Sequence, residues 1–451
     1  MGQNLTREFA IELQSWSAKN AGLDAVARLL LLDGLAVARV GAVEPGPRLV
    51  GKLARQQDSH PASVVIGQGF STAPAQAAQI NGMAMHVLDY EPMWNPPNHA
   101  LSTILPGLLA LAQVRESEDA APQGARVLRA LCKGIEAQGR LRLASGQLEP
   151  KDLTLHPPGV VGPIAAAVAC GDLLDLDQDQ LVMAIGIAAS RAGGVLANVG
   201  SMTKALHCGD ACRSGLEAAA MALSGFTADG DALGGPRGYG QAYFGDHFDP
   251  AALLAPLVTP RVLDPGPAWK LFPSQYATHF AITAALDCRT AMGGAASIRE
   301  VKITTPVMPY IDRPNPNSGL DGKFSYQYCV VAALLDGRIN LATFSDHRRF
   351  SADVGALLGR TVLSQNSAIS GRFDAMHVDV SVMLVDGTQT ERRCAAPLGS
   401  WSRPIEPIII EAKAHDLLDG LLGEQRADAF WCAIAMPSDV LRVSDLMRSL
   451  A

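Results

Sequence analysis

Three short segments set proton-transfer groups in stiff surroundings. The first runs His86-Val-Leu-Asp89-Tyr-Glu-Pro-Met93-Trp-Asn-Pro-Pro-Asn-His99 and carries three prolines ahead of its second histidine. Imidazole titrates near neutrality, so His99 on a rigid loop has the chemistry of a general acid or base. The same histidine could instead cap the helix that follows or bond a loop carbonyl. His86, at the end of an apolar run, reads as a satisfied core histidine. In the second segment, Leu155-His156-Pro-Pro-Gly159, the prolines hold His156 extended. A helix expected from about Gly162 aims its N-terminus at this loop, where an anion is favoured; the other reading is a loop histidine facing water. The third, Ser201-Met-Thr-Lys204-Ala-Leu-His207-Cys-Gly209, sets one lysine among small and apolar residues. A buried ammonium needs a partner, which a carboxylate ligand would supply; a lysine that snorkels to solvent needs none. Lys270, in Trp269-Lys-Leu-Phe-Pro273, and Tyr310, ahead of Ile311-Asp312-Arg313-Pro314, have the same character.

The common signatures of other chemistries are missing. There is no G-x-S-x-G elbow, P-loop, H-E-x-x-H or strand-to-helix G-x-G-x-x-G, so neither a nucleotide cofactor nor a metal is expected. The eight cysteines include no C-x-x-C pair and read as reduced core thiols. A net charge of −7 without a basic run argues against a nucleic-acid partner. The charge-free apolar stretch Leu153 to Gly171 holds three prolines and suits a bilayer poorly. The first residues lack a basic region followed by an apolar one, so a cytoplasmic protein is expected. Charged residues are only 18% of the 451, against about 25% in an average protein. That shortage suggests surface buried in an oligomer.

The elements that must hold these segments are helical up to about residue 260. Leu5–Trp16, Asp24–Val40, Ser71–Leu88, Ile104–Val114, Gly124–Arg142 and Gly209–Leu223 carry apolar residues at three- and four-residue spacing. Their alanine content favours helices that approach closely. Asp177 and Gln180 form a plausible capping box for the helix at Leu181. After about residue 265, Val301 and Ile303, then Val378, Val380, Val382 and Leu384, alternate with partners as half-buried strands do, and Asp386-Gly387 reads as a hairpin turn. Phe324–Leu335 and Ala352–Leu358 between them, and Ala414–Leu422 and Val440–Leu450 after them, are helical. The expected fold is a mostly α large domain, discontinuous in sequence (1–264 and 397–451), interrupted by a smaller α+β domain (265–396).

Taken together, Asn81-Gly82, the Asp89–His99 loop, Gly134-Ile-Glu136, His156-Pro-Pro, Thr203-Lys204-Ala-Leu-His207-Cys-Gly209, Lys270-Leu-Phe-Pro273 and the Tyr310 segment resemble the MmgE/PrpD family over nearly the whole chain. Within it the pattern is most similar to cis-aconitate decarboxylase; other members dehydrate 2-methylcitrate or epimerise iminodisuccinate. The resemblance implies a homodimer and a cofactor-independent site in the cleft between the helical domain and an α+β lid. It implies catalytic places for Asp89, His99, His156, Lys204 and Tyr310, and substrate contacts for Lys270, His207, Met93 and Gln275. Met93 stands where the decarboxylase pattern has Thr, and Gln275 where it has His. A thioether cannot donate a hydrogen bond and an amide cannot take and release a proton.

Such residues suit a small di- or tricarboxylate. Lysines would hold its carboxylates while His99 moves a proton at the adjoining carbon, with donors stabilising the charge that develops there. Loss of CO₂, loss of water, or return of the proton with inversion could each follow. A carboxy- or hydro-lyase is the expected function, with a dicarboxylate epimerase as the alternative and a non-catalytic carboxylate binder as the third reading.

Overall fold

The computed structural model describes residues 4–57, 59–149, 152–294 and 297–451. The first half is helical: α1 (Leu5–Ser15), α2 (Ala21–Gly41), α3 (Pro45–Arg55), α4 (Pro74–His86), α5 (Ala100–Asp119), α6 (Gly124–Ala144), α7 (Pro157–Leu173), α8 (Gln178–Ala189) and α9 (Met202–Leu223). Helices start where a polar side chain takes up a free N–H or where proline removes it. Asn4 accepts from the Arg7 amide and Ser201 from the Thr203 amide, and Asp177 and Gln180 close the expected capping box.

Several starts differ from the sequence reading, among them Ala21 for Asp24, Ala100 for Ile104 and Pro407 for Ala414, and three others bear on the site. The helix expected from Ser71 opens at Pro74, because Ser71 and Thr72 pair in a short antiparallel ribbon of β1 (Ser63–Val65) and β2 (Phe70–Thr72). The helix expected near Gly162 opens at Pro157, since prolines need no donor in a first turn. The helix expected from Gly209 opens at Met202, which puts Lys204 in its first turn. Residues 225–238 and 254–275 are mostly irregular, so the helical pattern is less continuous than the spacing suggests.

Helix α7 is buried on every face from Pro157 to Gly171, which marks it as the central helix of the body. Small side chains make this possible. At the crossing of α4 and α9, a Cβ on Gly209 would lie 2.4 Å from the Gln79 carbonyl oxygen, so the two backbones meet only because glycine stands there. That crossing brings the end of α4, with His86, beside the start of α9, with Lys204. Pro163 inside α7 frees the Gly159 carbonyl, which accepts the Gly193 amide at 3.0 Å. Gly194 O in turn accepts the His156 amide at 2.9 Å.

The second unit is a four-stranded sheet ordered β4 (Thr361–Gln365), β3 (Ile298–Thr305), β5 (Val378–Leu384), β6 (Gln389–Cys394); β3 pairs parallel with β4 and antiparallel with β5. Val301, Ile303, Val378, Val380 and Val382 form a buried face packed with the helices Tyr276–Ala291 and Tyr326–Asp336. Gly387, at φ +89°, closes the β5–β6 hairpin at the expected Asp386-Gly387 turn. Two main cores result. One joins α1, α2 and α4 to α8 with Leu418, Phe430 and Leu446 of the last helices, and the other joins Met93 and Ala268 to residues 276–394.

Candidate active site

Asp89 is the hub of a buried charge cluster. It follows α4 with φ +49°, a left-handed conformation that is uncommon outside glycine and that its surroundings must hold in place. Lys204 Nζ donates to its Oδ2 at 2.7 Å and Lys270 Nζ to its Oδ1. Burial pushes the Asp89 carboxyl up, but the two lysines outweigh it and hold the group well below the usual carboxylate range.

The two lysines occupy different places. Lys270 spends its three N–H donors on Asp89 Oδ1, the Asp89 carbonyl (2.9 Å) and the Ser274 carbonyl (3.0 Å), and it is fully buried behind Asp89. The expected substrate contact by Lys270 therefore has no donor to make it with. Among the described residues Lys204 makes two hydrogen bonds, to Asp89 and to His86 Nε2 at 2.9 Å, and it lines a cavity.

His86 is both a core histidine, as expected, and part of this cluster. Because an ammonium only donates, His86 Nε2 must accept from Lys204, which places the ring proton on Nδ1. Nδ1 lies 2.5 Å from Glu91 Oε1, which also accepts from Ser102 Oγ at 3.0 Å. Burial, then Lys204, push the His86 imidazole down to about 4, in keeping with this neutral tautomer. His99 Nδ1 is 3.1 Å from the same Glu91 oxygen, too poorly aligned for a hydrogen bond, and His99 Nε2 is 3.9 Å from Asp89 Oδ1.

A cavity of about 80 Å³ opens in front of this cluster. Asp89, His99, His156, Lys204, Gln275 and Tyr310 supply its polar wall, and Met93, Leu196, Val199, Phe324 and Phe373 much of its apolar one. His99 is the N-cap of α5, His156 that of α7 and Gln275 that of the helix Tyr276–Ala291, while Lys204 lies in the first turn of α9. Four helix N-termini thus converge, an environment that favours an anion. Gln275 Oε1 accepts from the Ala277 amide at 2.7 Å and Nε2 donates to the Tyr310 oxygen at 2.9 Å, so the phenol keeps its own proton free to donate. Burial, then Asp89, raise the Tyr310 phenol above its ordinary value.

His207 lies behind His156, Nδ1 to Nδ1 at 3.2 Å, and does not line the cavity. Burial and then Lys204 hold His156 well below the usual imidazole range. Met93 reaches the cavity from a backbone bridge to Ala268 (3.1 and 2.7 Å).

Sequence reasoning did not single out several supporting residues. Glu91 stood in the quoted loop, and an acid wedged between Tyr90 and Pro92 in apolar sequence is itself a signal, since it must find a partner when buried. Gln138 of α6 bonds Asn98 and Thr103, and Arg142 donates to the Pro97 carbonyl at 3.1 Å, fixing the turn before His99. Lys413, from the helix Pro407–Leu422, donates to the carbonyls of Tyr90 (2.8 Å) and Lys270 (3.0 Å) and pairs with Asp33 at 2.8 Å. Lys323 holds the Leu88 and Pro273 carbonyls at 3.1 and 3.2 Å. His279 is buried nearby and pushed down to about 3 by burial, then by Lys270. The partners of Gln138, Arg142, Lys323 and Lys413 are distant in sequence, so local spacing carries no trace of them.

Among the described residues, His86, Glu91 and His99 form the group whose atoms come within metal reach of one another. A nitrogen and an oxygen 2.5 Å apart share a proton; bonds of about 2.0–2.1 Å to one tetrahedral ion would hold them more than about 3 Å apart. His86 and Glu91 as arranged are a hydrogen-bonded pair, with His99 beside them.

Residues 8–251 match the MmgE/PrpD N-terminal domain and residues 272–435 the MmgE/PrpD C-terminal domain. The chain belongs to the MmgE/PrpD family. It is similar to the cis-aconitate decarboxylase of Mus musculus, 31% identical over 390 residues covering 83% of this chain and 78% of that one. It is similar to the Homo sapiens cis-aconitate decarboxylase at 30% identity, covering 85% and 81%. The Aspergillus terreus cis-aconitate decarboxylase is 31% identical over 204 residues, 45% of this chain and 42% of that one. In MmgE/PrpD terms the cavity joins the two matched domains: Asp89, His99, His156 and Lys204 come from the first, Gln275 and Tyr310 from the second. Lys270 falls in the short connection between them.

Proposed function

We propose that the protein is a lyase that acts on a small di- or tricarboxylate by moving a proton next to a carboxylate, with its own side chains as the acid–base groups. The observation that carries this reading is the meeting of His99, Lys204 and Tyr310 in one cavity at converging helix N-termini. The similarity to cis-aconitate decarboxylases over most of the chain supports the substrate class.

In this reading the third N–H of Lys204 takes a substrate carboxylate, its other two being held by Asp89 and His86. Tyr310, oriented by Gln275, donates to a second oxygen. Charge that develops on the carbon beside the carboxylate is then met by donors already in place, which is where such sites gain most of their rate. His99 transfers the proton. For a decarboxylation, the carbon–carbon bond breaks, its electron pair stays on the remaining fragment, CO₂ leaves, and that carbon is protonated by Tyr310, or by His99 once its Nε2 has first taken up a proton. For a dehydration, His99 takes the proton beside the carboxylate while an acid protonates the departing hydroxyl. Lys270 supports Asp89, Met93 shapes the wall, and His156, backed by His207, lines the cavity beside the cluster.

Proton NMR in D₂O with cis-aconitate, 2-methylcitrate and iminodisuccinate tests the reading. CO₂ loss or alkene formation is expected. Deuterium uptake with inversion would make the protein an epimerase instead, and a bound but unchanged acid would make it a carboxylate binder.

A further inference from the structure

Two buried polar atoms in the cluster lack hydrogen-bond partners among the described residues and belong to neighbouring residues. Glu91 crowds two donors onto Oε1, from His86 and Ser102, and leaves Oε2 without one. His99 Nδ1 also has none, although it sits 3.1 Å from Glu91 Oε1. Buried carboxylate oxygens and ring nitrogens are rarely left unmatched, and here each atom is the other's natural partner. Contacts of this kind are often misaligned without ligand and tighten when substrate engages the other face of the ring.

We infer that Glu91 is a positioning residue that keeps the His99 proton on Nδ1, by a hydrogen bond to its own carboxylate, and so presents a bare Nε2 to the cavity. The inference rests on the lyase reading for its effect on turnover. Its geometry stands apart from that reading. Glu91 is completely buried and cannot turn away to solvent. His86 fixes it from one side, because Lys204 leaves His86 no proton on Nε2 and thus commits Nδ1–H to Glu91. Ser102, one turn into α5 from His99, fixes it from the other. When His99 Nε2 takes a proton, the ring becomes a cation beside the Glu91 carboxylate; when it gives the proton up, the bond to Glu91 keeps the ring from turning. His99 therefore returns to the same tautomer after each turnover.

Nitrogen-15 NMR of the histidine side chains in the ligand-free protein tests this without any substrate. The expected result is a His99 ring protonated at Nδ1 and bare at Nε2, changing to a mixture or to the Nε2–H form in Glu91→Gln. A wild-type His99 protonated at Nε2 would overturn the inference whether or not the variant folds. In the turnover arm, Glu91→Gln lowers kcat by about 100-fold, the low end of general acid–base effects, with KM within about 3-fold. Ser102→Ala, a gentler change, lowers kcat by about 3- to 10-fold with the same pattern, as loss of one hydrogen bond would. A Glu91→Gln kcat within about 3-fold of wild type, in a protein that does turn an acid over, would overturn the inference and leave the lyase reading standing. No turnover in wild type with any of the three acids would overturn the lyase reading, and the NMR result would then decide the tautomer alone.

Discussion

Two ionic clusters in this molecule are near mirror images. At the cavity one anion, Asp89, lies between two cations, Lys204 and Lys270. At the edge of the sheet unit one cation, Arg348, lies between two anions, Asp336 and Asp353, at 2.6 and 2.9 Å. Burial separates them. The Asp89 side chain is 3% exposed and the Lys270 side chain 0%, whereas Asp353 is 54% exposed. Water can replace any partner lost from the Arg348 cluster, but none reaches the Lys270 side of the Asp89 cluster. The inner cluster also keeps unspent capacity that the outer one lacks: a free donor on Lys204 and unmatched atoms on Glu91 and His99. A folded protein tolerates such buried loose ends where a ligand or a proton completes them.

The contrast breaks first at its hub. Asp89→Asn leaves two buried ammonium groups without their anion and should cost about 3–5 kcal/mol in urea unfolding along with all turnover. A loss under about 1 kcal/mol would mean that the lysines reach water. Acid comes next. Burial holds His86 down to about 4, His279 to about 3 and His156 well below its usual range. Between about pH 6.5, where unfolded histidine titrates, and about 4 the unfolded chain binds protons that the native state refuses. Stability therefore falls as pH drops through that window, by up to about 1.4 kcal/mol per pH unit for each such histidine. Asp89, with its depressed value, adds stability above about pH 3.9 that is lost only as pH falls further. Asp353, pushed down to about 2 by Arg348, is silent in the histidine window. Urea midpoints at pH 7, 5.5 and 4.5 give the slope, and a flat series would contradict the neutral-histidine cluster.

Lys204→Ala sharpens the comparison at the cavity wall. It should raise KM about tenfold, roughly the value of one anchoring contact held in both ground and transition states. Unchanged KM and kcat would remove Lys204 from the substrate. The smallest effect belongs to the outer cluster: Arg348→Ala should cost no more than about 1 kcal/mol, less at high salt.

The sequence carries much of this fold in local signals. The Asp177–Gln180 capping box, the Val378–Leu384 alternation and the Asp386-Gly387 turn each depend on residues a few positions apart, and each reads correctly. Helix starts at Pro157 and Met202 were misplaced because small and proline-rich segments lack a clear apolar stripe. Within the site, Asp89, His99, His156, Lys204, Gln275 and Tyr310 are recognisable by type and motif, and the fold gathers them around one cavity. Direction is what spacing withholds. Nothing near Lys270 in sequence tells that its three donors turn to Asp89 and Ser274. Glu91 acquires its meaning from His99, eight residues on, and from His86, whose ring is set by a lysine 118 residues away.

In the proposed function the cavity in front of Asp89 is a carboxylate site worked by His99. A crystal structure of the wild-type protein with bound cis-aconitate tests it most directly. The expected complex has a carboxylate within hydrogen-bond distance of Lys204 Nζ, the Tyr310 hydroxyl on a second oxygen, and the carbon beside the carboxylate facing His99 Nε2. A ligand bound elsewhere, or one that fills this cavity with His99 turned away from it, would contradict the account.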